Sequence, residues 1–172
     1  MVVRIPRKDG AEVFSDLQVT LRKRADPDMV RMLVATDGSP HAARASELAV
    51  RLVRELREAE VILVNVGHIP AIAFGDLAQA GVGLTVLEES LKQGGEAILN
   101  EAERVFDGTG VRITRAFVRG EPSVAILEKA REHKADLIVM GSRGLGQIGG
   151  LILGSVSERV LSGAHLPVLI VR

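Results

Sequence analysis

The stretch from Leu137 to Ser157 constrains the fold most, because it places an apolar run, a glycine-rich loop and a helix start in succession. The apolar run ends at Gly141, and further glycines follow at positions 144, 146, 149, 150 and 154. Gly154 and Ser155 then open a segment with helical spacing. A strand, loop and helix N-terminus in this order turn unpaired backbone N–H groups and the positive end of the helix dipole toward an anion. The stretch therefore predicts a loop that holds phosphates.

A flexible glycine linker is the alternative interpretation of the same stretch. Linkers are polar, whereas Leu151-Ile152-Leu153 is apolar, and a strand-like run at residues 167–171 still follows. The sequence favours the phosphate loop over the linker.

Strand-like and helix-like segments alternate along most of the chain. Short apolar runs predict strands near residues 32–35, 61–66, 111–117, 136–140 and 167–171. The intervening segments have apolar residues at helical spacing, and Ser39 and Pro40 have the pattern of an N-cap and first helical residue. The alternation predicts a doubly wound α/β sheet with right-handed crossovers. Ligands of such sheets bind beyond the carboxyl ends of the strands, so Ala35–Ser39 and Gly141–Ser155 should line one crevice if their strands are neighbours.

Several segments depart from the regular pattern. Residues 111–117 alternate apolar and polar side chains, which predicts an edge strand. The helix after Gly120 is predicted to turn Val124 and Leu127 inward, and the helix before this strand is weakened by Gly94-Gly95, by about 1 kcal/mol per glycine. The long connection of residues 67–83 suggests a lid or a binding loop.

Residues 1–28 are predicted to be an N-terminal extension that is partly ordered at best. Val2 to Ile5 has the pattern of a short strand, but charged and proline-containing segments before Met29 break any continuation. The organised part is predicted to be a single domain, residues 29–172.

Composition argues against several classes of function. The chain has 22 basic and 22 acidic residues, no Tyr or Trp and four Phe, so it lacks the charge and the aromatic surface that nucleic acid requires. It has no cysteine, and its four histidines lack the spacing of metal ligands. No apolar run approaches the about 18 residues of a membrane span, and the N-terminus lacks the apolar core of a secretory signal. We therefore expect a cytoplasmic protein that binds neither nucleic acid nor membrane.

Two common phosphate motifs do not fit. Gly144, Gly146 and Gly149 match the dinucleotide fingerprint by letter, but that motif opens the first βαβ unit of a longer sheet. The Walker pattern requires a lysine directly before Ser155, and glycine stands there. Arg143 is a candidate for the missing positive charge, and a surface arginine is the alternative.

The remaining pattern resembles the universal stress protein family. Gly141-x2-Gly144-x9-Gly154-Ser155 matches the loop of the ATP-binding branch, and V-A-T-D-G-S after the first strand and L-P-V-L-I-V-R at the end also match. The resemblance covers residues 31–172. It implies an open parallel five-stranded sheet in the order 3-2-1-4-5, flanked by helices in the manner of Rossmann-like and adenine nucleotide α-hydrolase-like folds. It also implies a homodimer through the C-terminal strand, Val168–Val171.

The resemblance assigns a nucleotide site to nine residues, and Arg143 is added to them as the candidate for positive charge. Asp37 corresponds to an aspartate near the adenosine end, Ala35 and Val66 to backbone positions of the base pocket, and Met140 to a residue packed nearby. Gly141 and Gly144 allow close backbone approach, Gly154 completes the loop pattern, and Ser155 and the N–H of Val156 hold phosphate. Ordinary structural roles remain as alternatives: a turn or N-cap for Asp37, core for Met140 and an N-cap for Ser155. Ser157 is a weaker candidate.

The resemblance implies that the chain binds ATP, or ADP or AMP, with or without magnesium, and regulates stress survival through an unidentified protein partner. The alternatives are a slow ATPase or nucleotidyl-transferring enzyme on the same scaffold, and a nucleotide-free dimeric interaction module. The sequence favours the binding protein, because the loop offers a phosphate cradle without an evident base or carboxylate pair for a metal.

Overall fold

The computed structural model describes residues 2–4, 29–69, 83–145 and 153–172. Within these ranges the chain forms six strands and four helices, namely β1 (Val2–Arg4), β2 (Val30–Ala35), α1 (Pro40–Glu55), β3 (Ala59–Gly67), α2 (Leu84–Arg104), β4 (Arg112–Arg119), α3 (Pro122–Glu132), β5 (Leu137–Gly141), α4 (Ser155–Gly163) and β6 (Val168–Val171). The predicted alternation of strands and helices is thus confirmed. None of the helices in these ranges is long and apolar enough to cross a membrane.

The strands form one parallel sheet in the order β1-β6-β5-β2-β3-β4. Strands β2 to β6 alone have the predicted order 3-2-1-4-5, which is therefore confirmed. Strand β1 is an addition to that order, because it pairs with the outer edge of β6. The predicted short strand near the N-terminus is present at Val2–Arg4, and the rest of the extension, residues 5–28, lies outside the described part of the chain.

Strand β4 lies at the opposite end of the sheet from β1, as its alternating pattern predicts. None of its side chains is fully buried. Its arginines pair with glutamates of α2: Arg115 with Glu96 and Glu103, and Arg119 with Glu88. These charges cover the outer part of the sheet in a way that disfavours pairing with further strands.

The core has two layers because successive residues of the central strands point to opposite faces of the sheet. Met32 and Val34 of β2 pack with α1 and α2 on one face. Leu33 and Ala35 pack with α3 and α4 on the other. The cavity described below lies on the face of α3 and α4.

Helix α3 differs from the prediction at one position. Its buried residues Ser123, Ile126 and Ala130 follow helical spacing of three and four, so Val124 lies on the opposite side of the helix and is 51% exposed. The predicted inward position of Val124 is wrong, whereas Leu127 is half-buried against the core.

Two helices begin with a side-chain cap followed by proline. Ser39 Oγ accepts a hydrogen bond from the Ala42 N–H at 3.2 Å, which confirms the predicted N-cap of α1. The carboxylate of Glu121 caps α3 by accepting from the Val124 N–H at 2.9 Å. It also accepts from Ser123 Oγ at 2.6 Å and from Arg159 of α4 at 3.0 Å. Glu121 therefore joins the start of α3 to α4.

We expect Glu121→Gln to lower the free energy of unfolding by up to about 1 kcal/mol at pH 7, through the weakened cap. Burial raises the pKa of Glu121, but the hydrogen bonds from Ser123, Val124 and Arg159 and the charge of Arg159 outweigh it and hold the pKa below 4.5. A lowered pKa means that the charged carboxylate stabilises the fold above its unfolded pKa. The difference between parent and variant should therefore shrink as pH falls below 4.5 and disappear once the pH is below the lowered pKa of the folded state.

Urea unfolding at pH 7 and pH 3 measures this difference. The control is Glu128→Gln, which changes an exposed glutamate of the same helix. An equal loss of stability at both pH values would contradict the role of the charged cap.

Candidate functional site

A cavity of about 420 Å³ lies at the carboxyl ends of β2, β3 and β5. Strands β2 and β5 are neighbours, with Ala35 opposite Met140. The strand order reverses between them, because the chain leaves β2 toward β3 on one side and later returns to β5 on the other. Parallel α/β sheets bind their ligands at this kind of switch point. Because β2 and β5 are neighbours, the loops that follow them meet the predicted condition for lining one crevice.

The cavity brings together all ten residues of the predicted site. It is lined by Ala35, Asp37, Val66, Met140, Gly141, Arg143, Gly144, Gly154, Ser155 and Val156. Its volume is within the range of about 300 to 1,000 Å³ that is typical of small-molecule sites.

The cavity also contains Ser157, the weaker candidate, and seven lining residues that were not singled out from the sequence: Thr36, Ala42, Val64, His68, Pro122, Ile126 and Leu145. Thr36 directly follows a predicted strand and His68 comes two residues after one, so their position near a strand end was an available signal. Pro122 and Ile126 reach the cavity because α3 crosses the face of the sheet. No local pattern predicts that crossing.

The two ends of the cavity differ in chemistry. Val64 and Val66 of β3, Met140 of β5 and Pro122 and Ile126 of α3 form an apolar slot. Arg143, Gly144, Ser155 and the start of α4 form a polar part of the lining, and Asp37 lies beside Gly144, so this part carries one formal positive and one formal negative charge. The cavity can thus hold a flat apolar group at one end and an anion at the other.

The polar end is held by hydrogen bonds between the two ends of the glycine loop. The Gly154 N–H donates to the Ser142 carbonyl at 2.8 Å. The hydroxyl of Ser157, which is buried, lies 3.0 Å from the Gly141 carbonyl and 3.1 Å from that of Ser142, and its single hydrogen points to one of them at a time. Ser157 therefore fixes α4 against the end of β5. The middle of the loop, residues 146–152, lies outside the described residues.

Helix α4 begins at Ser155, and its N-cap is Gly154, so the alternative role of Ser155 as an N-cap is wrong. Unlike α1 and α3, α4 has no side-chain cap among the residues that the structure describes. Its first N–H groups therefore face the cavity without a capping side chain, at the positive end of the helix dipole. Ser155 itself is exposed.

Gly141 and Gly144 are required by contacts within the protein. A Cβ at Gly141 would lie 2.7 Å from the His41 carbonyl carbon and 2.9 Å from the Ala42 nitrogen, both in the backbone of α1. A Cβ at Gly144 would lie 2.4 Å from Asp37 Oδ2. The prediction gave close approach of a ligand as the reason for these glycines. The structure adds a reason that holds without a ligand.

Asp37 joins the first strand end to the glycine loop. Its Oδ1 accepts from the Ser39 N–H at 3.0 Å, and its Oδ2 accepts from the Leu145 N–H at 3.1 Å. The turn role that was the alternative for Asp37 is therefore present. A carboxylate accepts about four hydrogen bonds, so the same side chain retains acceptor capacity for a ligand, and the predicted nucleotide contact stays a prediction.

No group of three or more His, Asp or Glu side chains in the described ranges is arranged to hold a metal ion. The predicted lid or binding loop after β3 falls on residues 70–82, which lie outside the described residues.

The fold and the cavity define an open doubly wound α/β protein with a ligand cavity at the switch point of its sheet. The family model described as "Universal stress protein family" matches residues 29–172. The chain belongs to this family. Strand β1 lies outside the matched residues.

Individual relatives agree with this assignment. The chain is similar to universal stress protein YxiE of Bacillus subtilis, with 35% identity over 83% of this chain and 98% of the relative. Among solved structures it is similar to universal stress protein UspA of Lactobacillus plantarum, with 25% identity, a TM-score of 0.67 and coverage of 83% and 97%. It is also similar to a universal stress protein in complex with cAMP, with 30% identity, a TM-score of 0.59 and coverage of 83% and 96%.

Proposed function

We propose that this chain is a regulatory protein that binds an adenine nucleotide, with ATP as the preferred form. The observation that carries the proposal is that one cavity is lined both by apolar side chains, among them Val66 and Met140, and by the start of α4, which has no side-chain cap among the described residues. The relative crystallised with cAMP supports adenine nucleotides as the ligand class. Membership of the universal stress protein family supports a role in the stress response, in the cytoplasm, through a protein partner.

The adenine ring lies in the apolar slot, next to the backbone of Val66. The Thr36 N–H donates to the Val64 carbonyl at 2.9 Å, so Val64 turns its backbone toward β2. Residues two apart in a strand face the same neighbour, and β2 ends at Ala35. The N–H and C=O of Val66 therefore face the space beyond β2. A base with an amino donor beside a ring nitrogen acceptor matches this pair of groups, and adenine has both.

The phosphates lie between Arg143 and the first turn of α4. The Ser155 hydroxyl and the N–H groups of Ser155 and Val156 donate to phosphate oxygens, and the helix dipole adds a favourable field. If magnesium accompanies the nucleotide, the phosphates and water would hold it, which is the usual way in which Mg²⁺ binds with nucleotides.

The contacts of Asp37 in the cavity favour nucleotide binding over nucleotide hydrolysis. Asp37 is the only acidic side chain among the described residues that line the cavity. Both of its oxygens already accept backbone N–H groups, from Ser39 and Leu145, which tie the carboxylate to the turn and to the glycine loop. A slow ATPase would need a base or metal ligands from elsewhere.

We expect the purified protein to bind ATP in calorimetry, and Gly144→Val to weaken this binding at least tenfold, or about 1.4 kcal/mol. The valine Cβ displaces Asp37 and fills the loop beside the phosphate site. The control is Gly94→Ala, since a Cβ there has no atom within 4 Å and lies outside the cavity. Mass spectrometry of the denatured protein identifies any nucleotide that copurifies.

Ser155→Ala provides a second variant that leaves the loop contacts in place. It should weaken ATP binding about tenfold but leave adenosine binding unchanged, because the hydroxyl acts on phosphate. Absence of ATP, ADP and AMP binding to the parent would overturn the proposed function. Equal loss of ATP and adenosine affinity would place the phosphates elsewhere in the cavity.

We also propose that two copies associate through β6, Val168–Val171, as the family resemblance implies. In this chain the outer edge of β6 is occupied by β1. Pairing of two copies through β6 and pairing of β6 with β1 therefore use the same edge of the sheet.

A further inference from the structure

The outer edge of β6 is well suited to strand pairing. Its sequence is Val-Leu-Ile-Val, and the first three of these residues are buried. On its inner side β6 pairs with β5, from Val168 opposite Ile138 to Val171 opposite Gly141. The strand has neither a charged residue nor proline, which are the usual features that protect an edge strand from pairing. An edge of this kind recruits another strand unless something covers it.

In this chain the edge is covered by β1. Val2, Val3 and Arg4 lie opposite Val168, Leu169 and Ile170 in parallel register. This cover is short, with three residue pairs, and it comes from outside the family domain, because the family match begins at residue 29. Within the matched residues the sheet order ends at β6.

Strand β1 and a second copy of the chain cannot occupy this edge together. Each backbone N–H and C=O on the outer edge of β6 can take part in pairing with only one neighbouring strand, and β1 already pairs with residues 168–170. Two copies related by a twofold axis would pair the same strand with itself, and that pairing needs the same groups. Release of β1 must therefore precede pairing through β6.

We propose that β1 is an intramolecular cover that controls self-association of this protein through β6. The inference rests on the β6 pairing proposed above and adds its regulation. Because β1 is tethered to the domain by residues 5–28, its effective concentration at the edge is on the order of millimolar. A second copy at micromolar concentration competes poorly with it. Anything that captures residues 1–28 would expose the edge and promote pairing.

The first test is Val2→Pro/Val3→Pro in the full chain, studied by analytical ultracentrifugation over a range of concentrations. Alternate residues of a strand donate to a given neighbour, so one of the two prolines always removes a donor that faces β6. The apparent dimer dissociation constant should fall at least about tenfold, because both copies must otherwise release β1 before they pair. The control is Val2→Thr/Val3→Thr, which keeps the backbone donors and should behave like the parent.

The second test locks the cover in place with a disulfide. The chain has no cysteine, so Val2→Cys/Val168→Cys introduces one defined pair at opposed Cα positions. Adjacent strands lie about 4.8 Å apart, within the range that a disulfide spans. The oxidised variant should stay monomeric at every concentration, and reduction should restore the behaviour of the parent.

The outcomes separate failure of this inference from failure of the proposed functions. If the parent and the proline variant dimerise with the same constant, β1 does not control the edge and the inference is overturned. If every variant stays monomeric, pairing through β6 itself is overturned. Dimerisation of the oxidised variant would place the interface elsewhere. ATP titration and thermal unfolding of each variant show that the domain remains folded, and they report on nucleotide binding independently.

Discussion

Replacing Gly141 by alanine is expected to lower the free energy of unfolding by about 3 kcal/mol, at the upper end of the usual cost of overpacking. The added Cβ would meet backbone atoms of α1, the His41 carbonyl carbon at 2.7 Å and the Ala42 nitrogen at 2.9 Å. Backbone atoms cannot swing aside as a side chain can. Strand β5 is buried along its whole length, so either β5 or the start of α1 must move.

Urea unfolding at neutral pH measures this loss. The matched control is Gly154→Ala, at the other end of the same loop, where a Cβ would lie 3.4 Å from Arg143 Cα and 3.5 Å from the Ser142 carbonyl oxygen. These distances are ordinary van der Waals contacts, so the control should lose about 1 kcal/mol or less, mainly through the N-cap preference for glycine over alanine. Equal losses for the two variants would show that the contact between β5 and α1 does not require glycine.

The second large effect concerns two adjacent glycines of α2 that should respond in opposite directions. Gly94→Ala is expected to stabilise the protein by about 1 kcal/mol, because alanine is the better helix former and a Cβ there meets no atom within 4 Å. Gly95→Ala is expected to destabilise it by about 2 kcal/mol net, because overpacking outweighs the same helical gain. Its Cβ would lie 2.2 Å from Phe117 Cδ2 and 2.7 Å from Asn65 Oδ1.

The Gly95 contact also connects the core to the cavity. Asn65 is buried and donates from Nδ2 to the Thr36 carbonyl at 2.8 Å, and Thr36 lines the cavity. Displacing Asn65 should therefore disturb the strand end beside the proposed base pocket. Paired urea unfolding curves of the two variants measure the stabilities, and Phe117→Leu in the Gly95→Ala background should recover part of the loss. Two stabilising substitutions would mean that the Phe117 ring moves aside at little cost. A double variant without recovery would mean that the contact with Phe117 is not the source of the loss.

These glycines illustrate what a sequence can and cannot convey. In the sequence, Gly94 and Gly95 both indicate the same thing, a weakened helix. Only the packing of Phe117 from β4 against α2 distinguishes them. Gly141 and Gly144 are recognisable as a loop pattern, but their contacts with His41 and Asp37 join residues about a hundred positions apart. Such contacts depend on how the elements pack, and no local spacing encodes them.

The residues that line the cavity likewise divide into those that the sequence predicted and those that only the packing of the helices revealed. The loop that begins with Ala35 and Asp37 was predictable because ligands of parallel sheets gather at the carboxyl ends of strands, whereas Val66 and Met140 were predicted only through the family resemblance. Pro122 and Ile126 were not, since they depend on the path of α3 across the sheet. The inward position predicted for Val124 was wrong for the same reason. The periodicity of a short helix fits more than one buried face, and packing selects among them.

The sequence by itself determined the succession of strands and helices, the edge character of β4, the caps of the first helix and the pattern of the glycine loop. These follow from local chemistry: side-chain periodicity, the dihedral restrictions of proline and glycine, and capping by Ser39. Through its motifs it also indicated the family and the strand order. Only the tertiary structure decided that one cavity unites the predicted residues, that Asp37 fastens the loop, and that β1 covers β6. Each of these joins segments far apart in the chain, and the free energy of such contacts comes from burial and hydrogen bonds that exist only once the sheet has formed.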